Sequence, residues 1–246
     1  MKHLIAALFF VGTLSLTGSF AVAQSQTRED VLREIETKRA QLLELEKQFL
    51  SPSAEDLNAH AAFLSQPDTG LIRLLPRELY DPGTDKAKTK ALTVTGGGAY
   101  YSFLRRTHEY GYGSDIELAS GQFAVGFAGA DYGMMVNLGE VGLDGISLDD
   151  PRAVFIASHN PSPQEPKARL DARQFGGKGI TVDNVDHRNR FPVKVNNTYL
   201  LRSIGYSTSD VLVAVKVVRQ DTDGSVILAW KLLKKYPVPA LARQTK

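Results

Sequence analysis

Between Thr27 and Leu50 the apolar residues Val31, Ile35, Leu42, Leu45 and Phe49 recur at alternating intervals of four and three, with Lys38 in the remaining central place. Intervals of this kind put side chains on one face of a helix. Glu34 and Lys38, four apart, favour the same helix electrostatically. The spacing is also that of a heptad seam. The stripe therefore has two uses open to it, packing against its own chain or self-association through Val31, Ile35, Leu42, Leu45 and Phe49, although three heptads interrupted by a lysine make only a short coiled coil. Ser51-Pro52 breaks the pattern. Ser53, followed three residues later by Asp56, predicts a capping box opening a second helix with Leu57, Ala61 and Leu64. Residues 24–66 thus read as a helical hairpin or short coiled coil.

Pro67-Asp68-Thr69-Gly70 supplies a turn, 71–75 is a short apolar segment stopped by Pro76, and 67–90 as a whole reads as a turn-rich linker. After Lys90 the hydrophobic period shortens toward two. Short runs of Val, Ile, Tyr and Phe at 91–95, 99–104, 116–118, 123–127 and 134–138 alternate with glycine-rich turns, which favours antiparallel connections over crossover helices. The clearest hairpin pairs 211–219 with 225–233 around Asp221-Thr222-Asp223-Gly224. Within it Val211, Val213, Val215 and Val217 share one face while Leu212, Ala214 and Val218 make the other apolar, the mark of an interior strand. A polar stretch at 160–179 reads as a long loop with at most a helical turn around 167–173, and residues 236–246, with Pro237 and Pro239, leave the sheet as a tail. The expected fold class is α+β, a helical segment followed over 91–235 by an antiparallel β-meander or compact β-sandwich.

Location comes from the first 23 residues. Lys2 and His3 precede an apolar run from about Leu4 to Leu16, and Ala21-Val22-Ala23 then forms a small-x-small cleavage signal. The run is short for a stable transmembrane span, so a cleaved signal peptide and a periplasmic or secreted protein are expected. Net charge is only +2, with Lys2 part of the leader, and the basic residues are dispersed. Neither feature suits a nucleic-acid partner. There is no cysteine, hence no disulfide and no thiol nucleophile.

The densest chemical cluster is Tyr100, Tyr101, Arg105, Arg106, His108, Glu109, Tyr110, Tyr112 and Asp115. Arg105, Arg106, His108, Tyr110 and Tyr112 could hold an extended polar ligand through charge and aromatic faces. Glu109 and Asp115, with His108, could serve as acid/base groups if the fold brings them together. The same residue types also suit a sheet face and surface ion pairs. No metal or cofactor motif stands out. His108-Glu109 lacks the second histidine of a helical zinc motif, and Gly96-Gly97-Gly98 and Gly176-Gly177-Lys178-Gly179 are not phosphate-binding loops. Asp221 and Asp223 suit a turn better than a calcium loop. The expected function is an exported non-catalytic scaffold or binding protein that contacts a cell-envelope protein or glycan. The alternatives are an envelope hydrolase of a polar polymer using Glu109 and Asp115, and a purely structural helix-mediated oligomer.

Overall fold

A computed structural model describes residues 27–80, 98–108, 113–127 and 129–242. The expected signal peptide, the strand expected at 91–95, and Glu109, Tyr110 and Tyr112 lie outside the described residues. Contacts divide the chain into two units, 1–41 and 42–246, with the boundary inside the first helix.

That helix, α1 (Arg28–Leu50), starts where Thr27 and Asp30 cap one another: the Asp30 N–H donates to Thr27 Oγ1 at 3.1 Å and the Thr27 N–H to Asp30 Oδ2 at 3.2 Å. Val31, Ile35, Leu42 and Leu45 are 40 to 62% exposed. Phe49 instead packs with Leu50 and Leu75, beneath the Arg73 guanidinium, and so departs from the expected seam. The Ser53/Asp56 capping box opens α2 (Ala54–Ala59), followed by α3 (Ala61–Leu64). Asp56 also pairs with Arg219 through both carboxylate oxygens, which ties α2 to the tip of the long hairpin.

The β-domain is built on a five-stranded antiparallel sheet ordered β1 (Thr69–Leu74), β11 (Val226–Lys235), β10 (Ser209–Gln220), β9 (Thr198–Gly205), β5 (Tyr132–Gly139). Segment 69–74, placed by its sequence in a linker, is thus an edge strand whose apolar residues cover both faces. Beyond Pro76 lies one helical turn, α4 (Arg77–Tyr80). Asp221 and Gly224 close the β10–β11 hairpin, with the Asp221 N–H donating to Ser225 O at 2.8 Å and Gly224 at φ 84°. A second antiparallel sheet runs β2 (Tyr100–Tyr101), β3 (Ile116–Ala119), β4 (Gln122–Ala124), β8 (Arg190–Pro192).

Two cores lie on opposite faces of the large sheet. Val211, Val213, Val215, Val217, Leu228 and Trp230 meet Phe103, Ile116, Leu118 and Phe123 of the small-sheet layer, which makes a β-sandwich. On the other face Leu200, Leu212 and Ala214 meet Ala153 and Ile156 of α5 (Pro151–Ser158) and Ala168 and Phe175 of α6 (Glu165–Gly176). Each fully buried aliphatic side chain contributes about 1.5–3 kcal/mol, which explains why both faces of β10 are apolar. Helix α6 corrects the long loop expected at 160–179. Pro166 occupies its first turn, Arg169 pairs with Glu165 one turn back, and two buried residues a heptad apart are enough to dock it. After it, β6 (Ile180–Val182) and β7 (Val185–His187) form a small hairpin through Asp183 and Asn184, both at positive φ.

Gly70 pairs with Trp230 across β1 and β11, and a Cβ at Gly70 would lie 2.5 Å from indole Cε2. Glycine there lets the indole lie flat across the edge strand.

Candidate functional site

Of the polar cluster picked out in the sequence, the described members separate. Tyr100 and Tyr101 are buried, and the Tyr100 hydroxyl donates to Glu117 at 2.8 Å, beside an Arg77–Glu117 ion pair of 2.5 Å. Asp115, 1% exposed, accepts the Phe103 N–H at 2.8 Å and holds the turn at 102–107 from beneath. Burial pushes its carboxyl up, against hydrogen bonds from Ser203, Phe103 and Ser102. His108 donates from Nε2 to the Arg73 carbonyl at 2.7 Å and packs edge-on to Tyr101. Its burial lowers its basicity, so it is neutral at pH 7. Arg105 and Arg106 are exposed. Arg106 lies 5.5 Å from the Trp230 ring and 3.6 Å from Asp68. The fold therefore brings Arg106 and His108 to one aromatic patch, while Asp115 is spent in the interior.

A concavity of about 480 Å³ lies elsewhere, between the C-terminal end of α5 and the chain after β11. Its construction follows from local sequence. Asp150 caps α5 by accepting the Arg152 N–H at 2.9 Å, with Pro151 in the first turn, and Pro161 prevents the helix from continuing. One wall is the segment from Ala157 to Pro163. The other runs from Lys234, near the end of β11, to Ala240, with Pro237 taking the chain off the sheet. Crosslinks hold the walls: the Tyr236 hydroxyl donates to Ala157 O at 2.7 Å, the Ala242 N–H to Pro163 O at 2.7 Å, and the Ser207 N–H to Pro239 O at 2.8 Å.

The floor is ionic. Arg202 on β9 and Asp210 on β10 are 1% and 2% exposed and sit diagonally on the helix-facing side of the sheet. Nε and Nη2 of Arg202 donate to the two Asp210 oxygens at 2.8 and 2.9 Å, and Nη1 donates to the carbonyls of Ile156 and His159 at 3.0 and 2.5 Å. Helix ends leave such carbonyls without intrahelical donors and carry partial negative charge, so a guanidinium suits this end of α5 on both counts. The Tyr236 ring covers the guanidinium at 3.6 Å, and the Lys234 ammonium lies 4.5 Å from the same ring.

His159 completes the constellation. Its Nε2 is hydrogen-bonded to the Tyr132 hydroxyl at 2.7 Å, and burial followed by the nearby Arg202 charge pushes its pKa down to about 4. His187 and Lys167 add smaller repulsions. A histidine protonated more readily unfolded than folded gives stability that is complete above pH 6.5 and is lost as pH falls toward 4. The loss on going from pH 7 to pH 5 is expected to be about 1 kcal/mol after discounting for partial exposure. Urea unfolding at the two pH values checks it: His159→Phe should show a smaller pH difference than wild type, leaving the residue due to His108 and His187, whose basicity is also lowered. Equal pH differences would contradict the assignment.

Among the described residues no group of three or more His, Cys, Asp or Glu side chains could hold a metal, and no helix is long and apolar enough to cross a membrane. The cleft escaped the sequence reading because its walls are about 75 positions apart in the chain. The available signal was an arginine directly after the apolar run from Tyr199 to Leu201, with an aspartate directly before the valine-rich run that starts at Val211. No family model matches the chain, nor does any curated protein or solved structure.

Proposed function

We propose that the chain is an exported, non-catalytic binding protein and that the cleft between α5 and the C-terminal segment seats an anionic glycan of the cell envelope. The carrying observation is the division of labour in the cleft. Its buried charges, Arg202 and Asp210, are committed to each other and to the α5 carbonyls, while exposed Lys234 stands at the rim beside the Tyr236 ring and among Pro161, Pro163, Pro237 and Pro239. Proline walls are stiff, so little ordering entropy is lost on binding. An ammonium beside flat apolar surfaces suits a carboxylated sugar, with the charge contacting Lys234 and the ring face lying on Tyr236 or proline. His159 Nε2 is occupied by the Tyr132 hydroxyl and its basicity is held well below the usual imidazole range, which makes it a poor general base and favours recognition over acid/base hydrolysis at this place. Export rests on the leader sequence.

Calorimetric titration with oligogalacturonate, using neutral dextran as the control, tests the reading. Wild type should bind the polyanion alone, and Lys234→Glu should weaken it about tenfold or more, a change of about 1.4 kcal/mol. Because Lys234 is exposed, the variant should keep its circular dichroism and unfolding midpoint. Undiminished binding by a folded Lys234→Glu protein would sink the proposal.

A further inference from the structure

We propose that α1 joins two copies of this chain as a weak parallel coiled coil through Val31, Ile35, Leu42 and Leu45. These four residues are exposed, as is Leu32 on the flank, so the largest apolar stripe of the helix is available to a partner. Their spacing assigns Ile35 and Leu42 to position a, and Val31, Lys38 and Leu45 to position d. Ile35 at a and Leu45 at d match the pairing that favours two strands, whereas Leu42 at a and Val31 at d do not.

Charge selects both the occupant and the orientation. The helix carries five cationic and six anionic side chains, a balance unlike that of the basic helices that lie on anionic membranes. In a parallel pair Glu34 at g faces Arg39 of the partner subunit at e, and the two-fold axis repeats the attraction. An antiparallel pair in the register that matches Ile35 with Leu45 and Leu42 with Lys38 would instead bring the two Arg39 side chains together. Lys38 sits at the centre of the seam. Its ammonium is drawn back to Glu34 Oε1 at 2.8 Å, so the seam meets mainly its aliphatic stem. Two like charges near the axis keep the association weak and make Lys38 the residue that limits it. Phe49, packed with Leu50 and Leu75, ends the seam on the domain side.

Sedimentation velocity of the purified protein over about 10 µM to about 1 mM covers the range expected for such a contact. Wild type should shift from monomer to dimer across it, Lys38→Leu should dimerise at concentrations at least tenfold lower, and Leu45→Glu should stay monomeric with unchanged helix content. Since the chain has no cysteine, Leu42→Cys should oxidise to a single covalent dimer, as residues at an a position meet their own copies only in the parallel arrangement. A wild type that remains monomeric throughout, or a dimer unaffected by Leu45→Glu, would overturn the proposal. A dimer in which Cys pairing fails would overturn the parallel register.

Discussion

Asp210→Asn is expected to destabilise the β-domain by about 3–5 kcal/mol, the usual result of stranding one member of a buried ion pair. Arg202 would keep its charge at 1% exposure, lose the carboxylate charge opposite it, and keep one acceptor oxygen in place of the two now held at 2.8 and 2.9 Å, with an amide N–H turned toward it at the other. Its remaining partners, the carbonyls of Ile156 and His159, carry only partial charge and cannot neutralise it. In urea the midpoint should fall by about 2 M for a slope of about 2 kcal/mol/M, with the slope itself unchanged. The double variant Arg202→Met, Asp210→Leu should recover much of the loss, because it removes both desolvated charges together. It should not recover everything, since the last carbonyls of α5 would then lack donors. A drop of less than about 1 kcal/mol in Asp210→Asn would mean that water reaches the pair and that the floor of the cleft is wet.

The second large effect lies on the other face of the sheet. Trp230→Ala should cost about 3–5 kcal/mol, since the side chain is 1% exposed and fills the space between Gly70, Phe103 and Tyr101. Trp230→Phe should cost markedly less, about 1–2 kcal/mol, for a reason specific to this site. The buried indole Nε1 has no hydrogen-bond partner among the described residues, so its loss breaks no bond and relieves an unsatisfied donor. Far-UV circular dichroism must follow the unfolding, because this is the only tryptophan in the chain. If Phe proved as costly as Ala, the orphan nitrogen would have to be making an interaction that the geometry does not contain.

Those elements whose signal is local were legible in the sequence. The Asp221-Thr222-Asp223-Gly224 turn carries its own hydrogen-bonding groups and a glycine at positive φ, so the β10–β11 hairpin could be read directly. Ser53 with Asp56 encodes a capping box at fixed spacing, and the capping box is there. The α+β class followed from the change of period near Lys90. Helix α6 was missed because Ala168 and Phe175 are its only buried residues, too few to rise above the polar composition around them. Strand β1 was missed because Pro67 and Gly70 read as turn residues, whereas Gly70 is needed within a strand by the indole across from it.

The site depended on information that is not local. Arg202 and Asp210 are eight residues apart, and only the β9–β10 register makes them diagonal neighbours. The two proline-bearing walls come together only once α5 is docked and β11 has ended. In the cluster at 100–115, Tyr100, Tyr101 and Asp115 have residue types suited equally to a ligand site and to a core. Burial separates the two uses, and it places all three in the interior.

Amide chemical-shift mapping during titration with oligogalacturonate locates the binding surface residue by residue. Perturbations should be concentrated in 157–163 and 234–240, with Lys234 and Tyr236 among the largest. Perturbations centred instead on Arg105, Arg106 and His108, or no saturable change anywhere, would contradict the assignment of the cleft as the binding site.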